Sequence, residues 1–486
     1  MVFSSTIFLF IFLPLCLLGY YLVRPKLRNI FLLVMSLGFY AWGEPRFVFV
    51  MMGSIVANWL LGLVIHRLRD RRPAARAALV LTIALNIGLL FVFKYLNFTV
   101  ANLDRFFGAN IPLTAIVLPI GISFFTFQAM SYVIDVYRES EPVQKNPLNV
   151  ALYIAMFPQL IAGPIVRYGA IAAQLVERRF DLEEFAAGAQ RFIRGLAKKV
   201  LIANNVAPVA DAAFESFKVA EGGGVPQLLV WLGIVAYTLQ IFFDFSGYSD
   251  MAIGLGKMFG FRFPENFNYP YVARSITDFW RRWHISLSSW FRDYVYFPLG
   301  GSRVSSKLRL VFNLFVVWTL TGIWHGANWT FIFWGLFYFS LLTVEKLLGL
   351  PQRLKETKLR ALPALYRLLT LAAVMLAWVF FRADTMGMAV DYLGSLVGLQ
   401  GSPDANAQAE ALYLFHQSII TIAVGIVFST PIAPWLAERI GRRAAHGKLL
   451  AVAWPALHYA GYAILFLVSV SAIVGDTYNP FIYFNF

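Results

Sequence analysis

Two histidines sit in stretches that are otherwise fit for lipid. His325 lies in TGIWHGANWT (321–330), between the apolar runs VFNLFVVW and FIFWGLFYF. An imidazole kept unprotonated by apolar surroundings can take a proton near neutral pH. Asn328, three residues on, can hydrogen-bond a ring nitrogen or a developing oxyanion. A helix-packing His–Asn pair would carry the same residues, and residue type alone leaves both readings open. His284 lies in DFWRRWHISLSSWFRDY, which is amphipathic, aromatic, basic and too polar to span a bilayer. Base, hydrogen-bonded support, metal ligand and plain interfacial residue are all open to it. Arg281 and Arg282 beside it suit phosphate or lipid headgroups. Trp280, Trp283 and Trp290 suit a membrane interface.

A third constellation interrupts YTLQIFFDFSGYSDMAIGLGKMFG (237–260) with Gln240, Asp244, Ser246, Tyr248, Ser249 and Asp250. Two carboxylates six residues apart can act as general acids, cation ligands or partners of buried arginine. Simple ion pairing, or helix capping around Gly247, is the plainer alternative. Gln128, Asp135 and Gln159 are polar groups in apolar settings, placed either to line an interior path or to pair helices. The glycines of GLGKMFG do not fit GxGxxG, and GxSxG, HExxH and Walker patterns do not occur. Dinucleotide, hydrolase, zinc-protease and NTPase readings therefore have no support. The lone Cys16 lies in an apolar run and can form no disulfide within the chain, and no metal site is expected.

The elements that must position these residues are membrane helices. Apolar residues make up 59% of the chain and charged residues 14%, against about 45–50% and about 25% in soluble globules. Apolar runs near twenty residues recur, and the spacing predicts spans near 3–23, 29–42, 46–65, 78–96, 112–134, 148–165, 226–243, 309–324, 329–345, 368–381, 413–436 and 449–474. The first run lacks the basic lead-in and small-residue site of a cleavable signal and reads as a membrane helix. The whole chain, 1–486, reads as one polytopic domain of 11–12 spanning or re-entrant helices. Amphipathic segments are expected near 181–200, capped by Asp181 with Glu184 in capping-box position, and near 272–296.

The net charge of +15 resides in loops, as in cytoplasmic loops of membrane proteins, and no basic domain suited to nucleic acid is present. Placing the basic segments 66–76, 346–360 and 438–448 inside puts the loop 383–412, with Asp384, Asp391, Asp404 and Glu410, outside. Both termini then fall on the outer side. Cations of the 181–200 helix would lie near anionic membrane lipid.

Together, YFPLGGSR, DFWRRWHISLSSWFRDY, DFSGYSDMAIGLG, ENFNYPY and GIWHGANWT resemble the membrane-bound O-acyltransferases. LPIGISFFTFQ and FPQLIAGPIVRY are similar to the bacterial alginate O-acetyltransferase branch. The resemblance implies an all-α fold, with a ring of tilted helices around a central funnel or tunnel. It implies His325 as the catalytic histidine and His284 as the second. Trp324, Asn328, Tyr248, Asp250 and Gln128 are then candidates to support the tunnel, and Arg281 and Arg282 to hold the donor or a headgroup. Gly322 and Gly326 would leave room for the acyl carrier. The resemblance further implies no tightly bound cofactor and a cytoplasmic acyl thioester, such as acetyl-CoA, as donor substrate. It implies location in a bacterial inner membrane, a periplasmic partner with a serine nucleophile and a polysaccharide biosynthesis complex. A transporter or flippase for an acyl or lipid-linked species is the rival reading, since broken helices and intramembrane aspartates fit it too.

Overall fold

The computed structural model describes all residues except 220–223, 360, 400–402, 404, 447, 476–477, 481 and 483–486, and omits the side chains of 219 and 443–452. Arg360 and Asp404 lie outside the described residues. Among the described residues every regular element is a helix. Among the described residues, eight helices are long and apolar enough to cross a membrane: Phe47–Arg67, Arg72–Phe107, Gln227–Met258, Lys307–His325, Trp329–Leu348, Ala361–Arg382, Ala405–Phe428 and Ala453–Gly475. Phe8–Leu22 is a shorter apolar helix. Large apolar side chains on these helices, such as Phe49, Leu308, Leu368 and Leu467, face outward, as lipid-facing residues do. The chain is a multi-pass membrane protein.

Four expected spans take a different form, and one of them, 413–436, is broken at 429–431 between the helices Ala405–Phe428 and Ile432–His446. The run at 112–134 is non-helical up to Gly121, because Pro112 and Pro119 withhold backbone donors and Gly121 takes a left-handed φ of 77°. A buried helix, Ile122–Tyr137, follows. The run at 148–165 is divided at Met156 into Pro147–Ala155 and Phe157–Leu160. The span expected at 226–243 continues unbroken to Met258. Its polar residues do not end it because cations from elsewhere meet them: Lys199 pairs with Asp244 at 2.7 Å and Arg191 with Asp250 at 2.9 Å. In that helix 83% of the most apolar window is buried in protein, against 6–39% in the other seven.

The helices gather into two compact units, one of residues Met1–Phe192 and Tyr248–Glu265, the other of Ile193–Gly247 and Asn266–Phe486. The first has a phenylalanine core, with Phe3, Phe8, Phe39 and Phe157 in mutual ring contact. The second is built on Trp280, Trp318, Trp334, Tyr338 and Trp378. Its Lys307–His325 and Trp329–Leu348 helices approach closely. A Cβ on Gly322 would lie 2.5 Å from the Phe331 carbonyl oxygen, and one on Gly335 would lie 2.4 Å from that of Trp318. The expected 181–200 segment contains the helix Leu182–Ala197, which the Asp181 carboxylate caps by accepting from the amides of Glu183 and Glu184.

Candidate active site

His325 is the last residue of the Lys307–His325 helix and is 3% exposed. Three rings meet its imidazole edge-on, with centroids 5.0 Å away for Trp324, 4.9 Å for Trp334 and 5.0 Å for Phe381. The glycines around it act differently from expectation. Gly322 is filled by the crossing with Gly335, and a Cβ on Gly326 would strike the Phe331 ring at 2.3 Å. Both sites therefore serve close helix packing that fixes His325, and neither leaves room for an acyl carrier.

Asn328 also differs from expectation. Its carboxamide oxygen accepts from the Thr330 amide at 3.2 Å, capping the Trp329–Leu348 helix, and its nitrogen donates to the Asp384 carbonyl at 2.8 Å. It ties down the turn after His325 instead of orienting the ring.

His284 is fully buried at the start of the Ile285–Phe291 helix, in a left-handed conformation with φ 42° and ψ 54°. Its Nδ1 lies 3.1 Å from the Asn266 side-chain oxygen. That oxygen also accepts from the Ser286 amide at 3.2 Å and the Ser286 hydroxyl at 2.8 Å. A backbone N–H can only donate, so the Asn266 atom is an acceptor and His284 Nδ1 carries the proton. The Nε2 lone pair is then the basic one. Burial pushes the imidazolium pKa down to about 3, holding the ring neutral.

Trp324 joins the two histidines. Its ring meets His284 at 6.1 Å and His325 at 5.0 Å. The structure thus gathers His284, Trp324 and His325 in one unit with Asn266, a residue sequence reasoning missed although it sits in ENFNYPY. Glu345 was missed too. Its buried carboxylate accepts from the amides of Ile276 and Thr277 at 2.6 and 2.9 Å, the Thr277 hydroxyl at 2.6 Å and the Tyr366 hydroxyl at 2.7 Å. It anchors the short Ile276–Trp280 helix that leads into His284. A cavity of about 900 Å³ opens there, lined by Arg274, Arg281, Arg282, Lys346, Lys355 and Arg367 among others. Arg282 is held by Asp278 at 2.9 Å, while Arg281 is exposed and has no ion pair among the described residues.

The remaining candidates belong to the other unit. Asp250 is paired with Arg191, which also holds Glu265, so it serves as a structural ion pair. Tyr248 is buried and stacks on Phe3 at 4.6 Å. Gln128 is fully buried in Ile122–Tyr137, and neither end of its amide has a hydrogen-bond partner among the described residues.

The sequence profile described as "MBOAT, membrane-bound O-acyltransferase family" matches residues 124–388, a stretch that includes both histidines. The chain belongs to the membrane-bound O-acyltransferase family. Among its relatives, the probable alginate O-acetylase AlgI of Pseudomonas aeruginosa is 46% identical over 80% of this chain and 73% of its own length. That of Pseudomonas putida is 40% identical over the full length of both. The peptidoglycan O-acetyltransferase of Helicobacter pylori is 36% identical over 85% of this chain and 82% of its own. This membrane-bound O-acyltransferase is therefore an enzyme that uses an acyl donor, which sets aside the transport-only reading.

Proposed function

We propose that this enzyme takes an acetyl group from a cytoplasmic thioester, acetyl-CoA or another acyl thioester. It passes the group across a bacterial inner membrane for O-acetylation of an extracellular or cell-wall polysaccharide such as alginate. The observation that carries the reading is the pair of buried imidazoles sharing Trp324, in the same unit as a basic cavity. Support for acetyl and for a polysaccharide comes from the relatives named for alginate and peptidoglycan O-acetylation.

In this reading the cations of the cavity bind the phosphates of the donor. Lys346 and Lys355, which help line it, belong to the basic segment that the positive-inside pattern puts in the cytoplasm. His325 accepts the proton of the acceptor hydroxyl as its oxygen bonds to the acyl carbon. The carbon–sulfur bond breaks, and the thiolate leaves and takes up a proton. His284, neutral and fixed by Asn266, supports the site from Trp324's other neighbour position. The acceptor hydroxyl is that of a serine nucleophile on a periplasmic partner, which acts with a polysaccharide biosynthesis complex. Both termini face the periplasm.

The test is turnover of radiolabelled acetyl-CoA by purified protein, with and without an acceptor hydroxyl. Acceptor-dependent ester formation that His325→Ala abolishes is the expected result. Ester formation unchanged in folded His325→Ala would overturn the assignment of the base.

A further inference from the structure

The first unit carries a second cationic cavity, of about 320 Å³, that the acyl-transfer reading leaves unused. It is bounded by Arg28, Arg178, Arg179, Lys257 and Arg262, with Tyr20, Tyr21, Phe180 and three carboxylates also on its wall. Most of the charges are already satisfied. Lys257 and Arg262 both bind Glu184, at 2.9 and 3.2 Å. Arg179 lies 3.5 Å from Glu177, and Arg178 donates to Asn29, Gln174 and Tyr20. The Asp181 carboxylate is spent on capping its helix.

Arg28 is different. Its guanidinium lies over the rings of Tyr20 and Tyr21, 5.2 and 5.6 Å from their centroids. No carboxylate pairs with it among the described residues, and its buried Nε has no hydrogen-bond partner there. Stacking on aromatic faces leaves in-plane guanidinium donors unused by the contact, and Arg28 lines the cavity. The two tyrosine hydroxyls donate to the carbonyls of Phe259 and Met258. That removes the acceptors at the end of the Gln227–Met258 helix, which would otherwise repel an anion.

The apolar surroundings bear on what kind of anion fits. Phe180 on the cavity wall is exposed, and Leu22, Val176 and Leu182, each next in sequence to a wall residue, are 75%, 77% and 69% exposed. Exposed apolar side chains beside clustered cations match a molecule with an anionic head and apolar chains. Tyrosine and arginine at the end of one apolar helix and the start of the next are the usual furniture of the lipid–water interface. The volume is at the small end of ligand sites, suited to one headgroup.

We propose that this cavity is a binding site for the phosphate headgroup of an anionic membrane lipid, with Arg28 as its principal ligand. Full-length protein in detergent, titrated with dioctanoyl phosphatidylglycerol, tests this. The lipid should bind, and Arg28→Gln should weaken it roughly tenfold or more. Arg28→Lys should recover part of the loss, since a point charge replaces a fork. Arg262→Gln, on the exposed rim, should cost about two- to threefold and tests the site should Arg28→Gln fail to fold. Arg281→Gln in the other cavity should leave the lipid affinity as in wild type. Equal affinity in wild type, Arg28→Gln and Arg262→Gln would overturn the proposal. So would inorganic phosphate binding as tightly as the lipid, which would mark a site for a soluble anion. Displacement of the lipid by acetyl-CoA would overturn it as well, by making this a donor site.

Discussion

The turn that carries His284 and the helix end that carries His325 hold an imidazole by different means. At His284 the backbone is left-handed at a residue with a side chain, a conformation that costs about 1–3 kcal/mol. Hydrogen bonds converging on Asn266 offset that cost and fix the proton on Nδ1. At His325 the backbone is ordinary helix, and ring edges and a glycine crossing set the position. The contrast bears on role. A network that requires a protonated Nδ1, in a place that keeps the ring neutral, suits a group that stays in one state through turnover. Ring-edge packing works whichever nitrogen bears the proton, so it suits a group that gains and loses one. This supports His325 as the base and His284 as the positioning residue.

Replacing His325 should give the largest effect. His325→Ala should cut acyl transfer by about 10²–10⁴-fold, the usual weight of a general base, with folded yield kept. His325→Gln should not rescue it, because an amide cannot accept a proton at neutral pH. If His325→Gln is active while His325→Ala unfolds, the residue is a packing group and the contrast collapses. Next in size is Gly322→Ala. The obstacle to its Cβ is the Phe331 backbone oxygen, which no side-chain rotation relieves. Overpacking of this kind costs about 1–3 kcal/mol, so a lower unfolding temperature and reduced transfer should appear together.

Much of this could be read from residue order. The lipid-like runs around TGIWHGANWT and the polar break at RRWHIS exposed both histidines, because a polar group in an apolar run stands out without any partner being known. Arg191, Lys199, Asn266 and Glu345 stayed hidden for the converse reason. Arg191, Lys199 and Asn266 sit in mixed polar sequence and Glu345 near the end of an apolar run, and the meaning of each comes from a partner that the fold supplies: Asp250 for Arg191, Asp244 for Lys199, the Ile276–Thr277 amides for Glu345. Ion pairing is the plainer sequence reading of the carboxylates at 244 and 250, but the partners Lys199 and Arg191 come only from the fold. Glycines misled similarly, since sequence shows that Gly322 and Gly326 are small but not whether a ligand or a neighbouring helix takes the space.

Asn266→Ala probes the hydrogen-bonded half of the comparison. It leaves buried donors of His284 and Ser286 unmet, at a cost of about 1–3 kcal/mol, and should lower stability more than Asn266→Asp. Transfer should fall less than in His325→Ala. Acid sharpens the test. With the folded pKa of His284 at about 3 against an ordinary 6.5, the unfolded chain binds a proton between those values that the folded chain refuses. Stability should therefore fall as pH drops from 6.5 toward 3, and His284→Gln should make the fall shallower. An identical pH profile in wild type and His284→Gln would show that this ring is not held neutral.

The smallest expected effect separates two adjacent arginines. Arg282 is tied to Asp278 and donates to the Asn268 carbonyl at 3.3 Å, so it braces the turn that presents His284. Arg281 projects into the basic cavity with its charge unspent by any ion pair among the described residues. An exposed cation acts through screened attraction, worth about 0–1 kcal/mol, which is at most a few-fold in donor affinity. Arg281→Gln should therefore raise the KM for the thioester about two- to fivefold, leave kcat and unfolding temperature unchanged, and make KM less sensitive to salt. Arg282→Gln should do the reverse, lowering stability and kcat with little change in salt dependence. Should both variants shift KM alike with no loss of stability, the two arginines form a single donor clamp, and the Asp278 pair contributes nothing to holding His284.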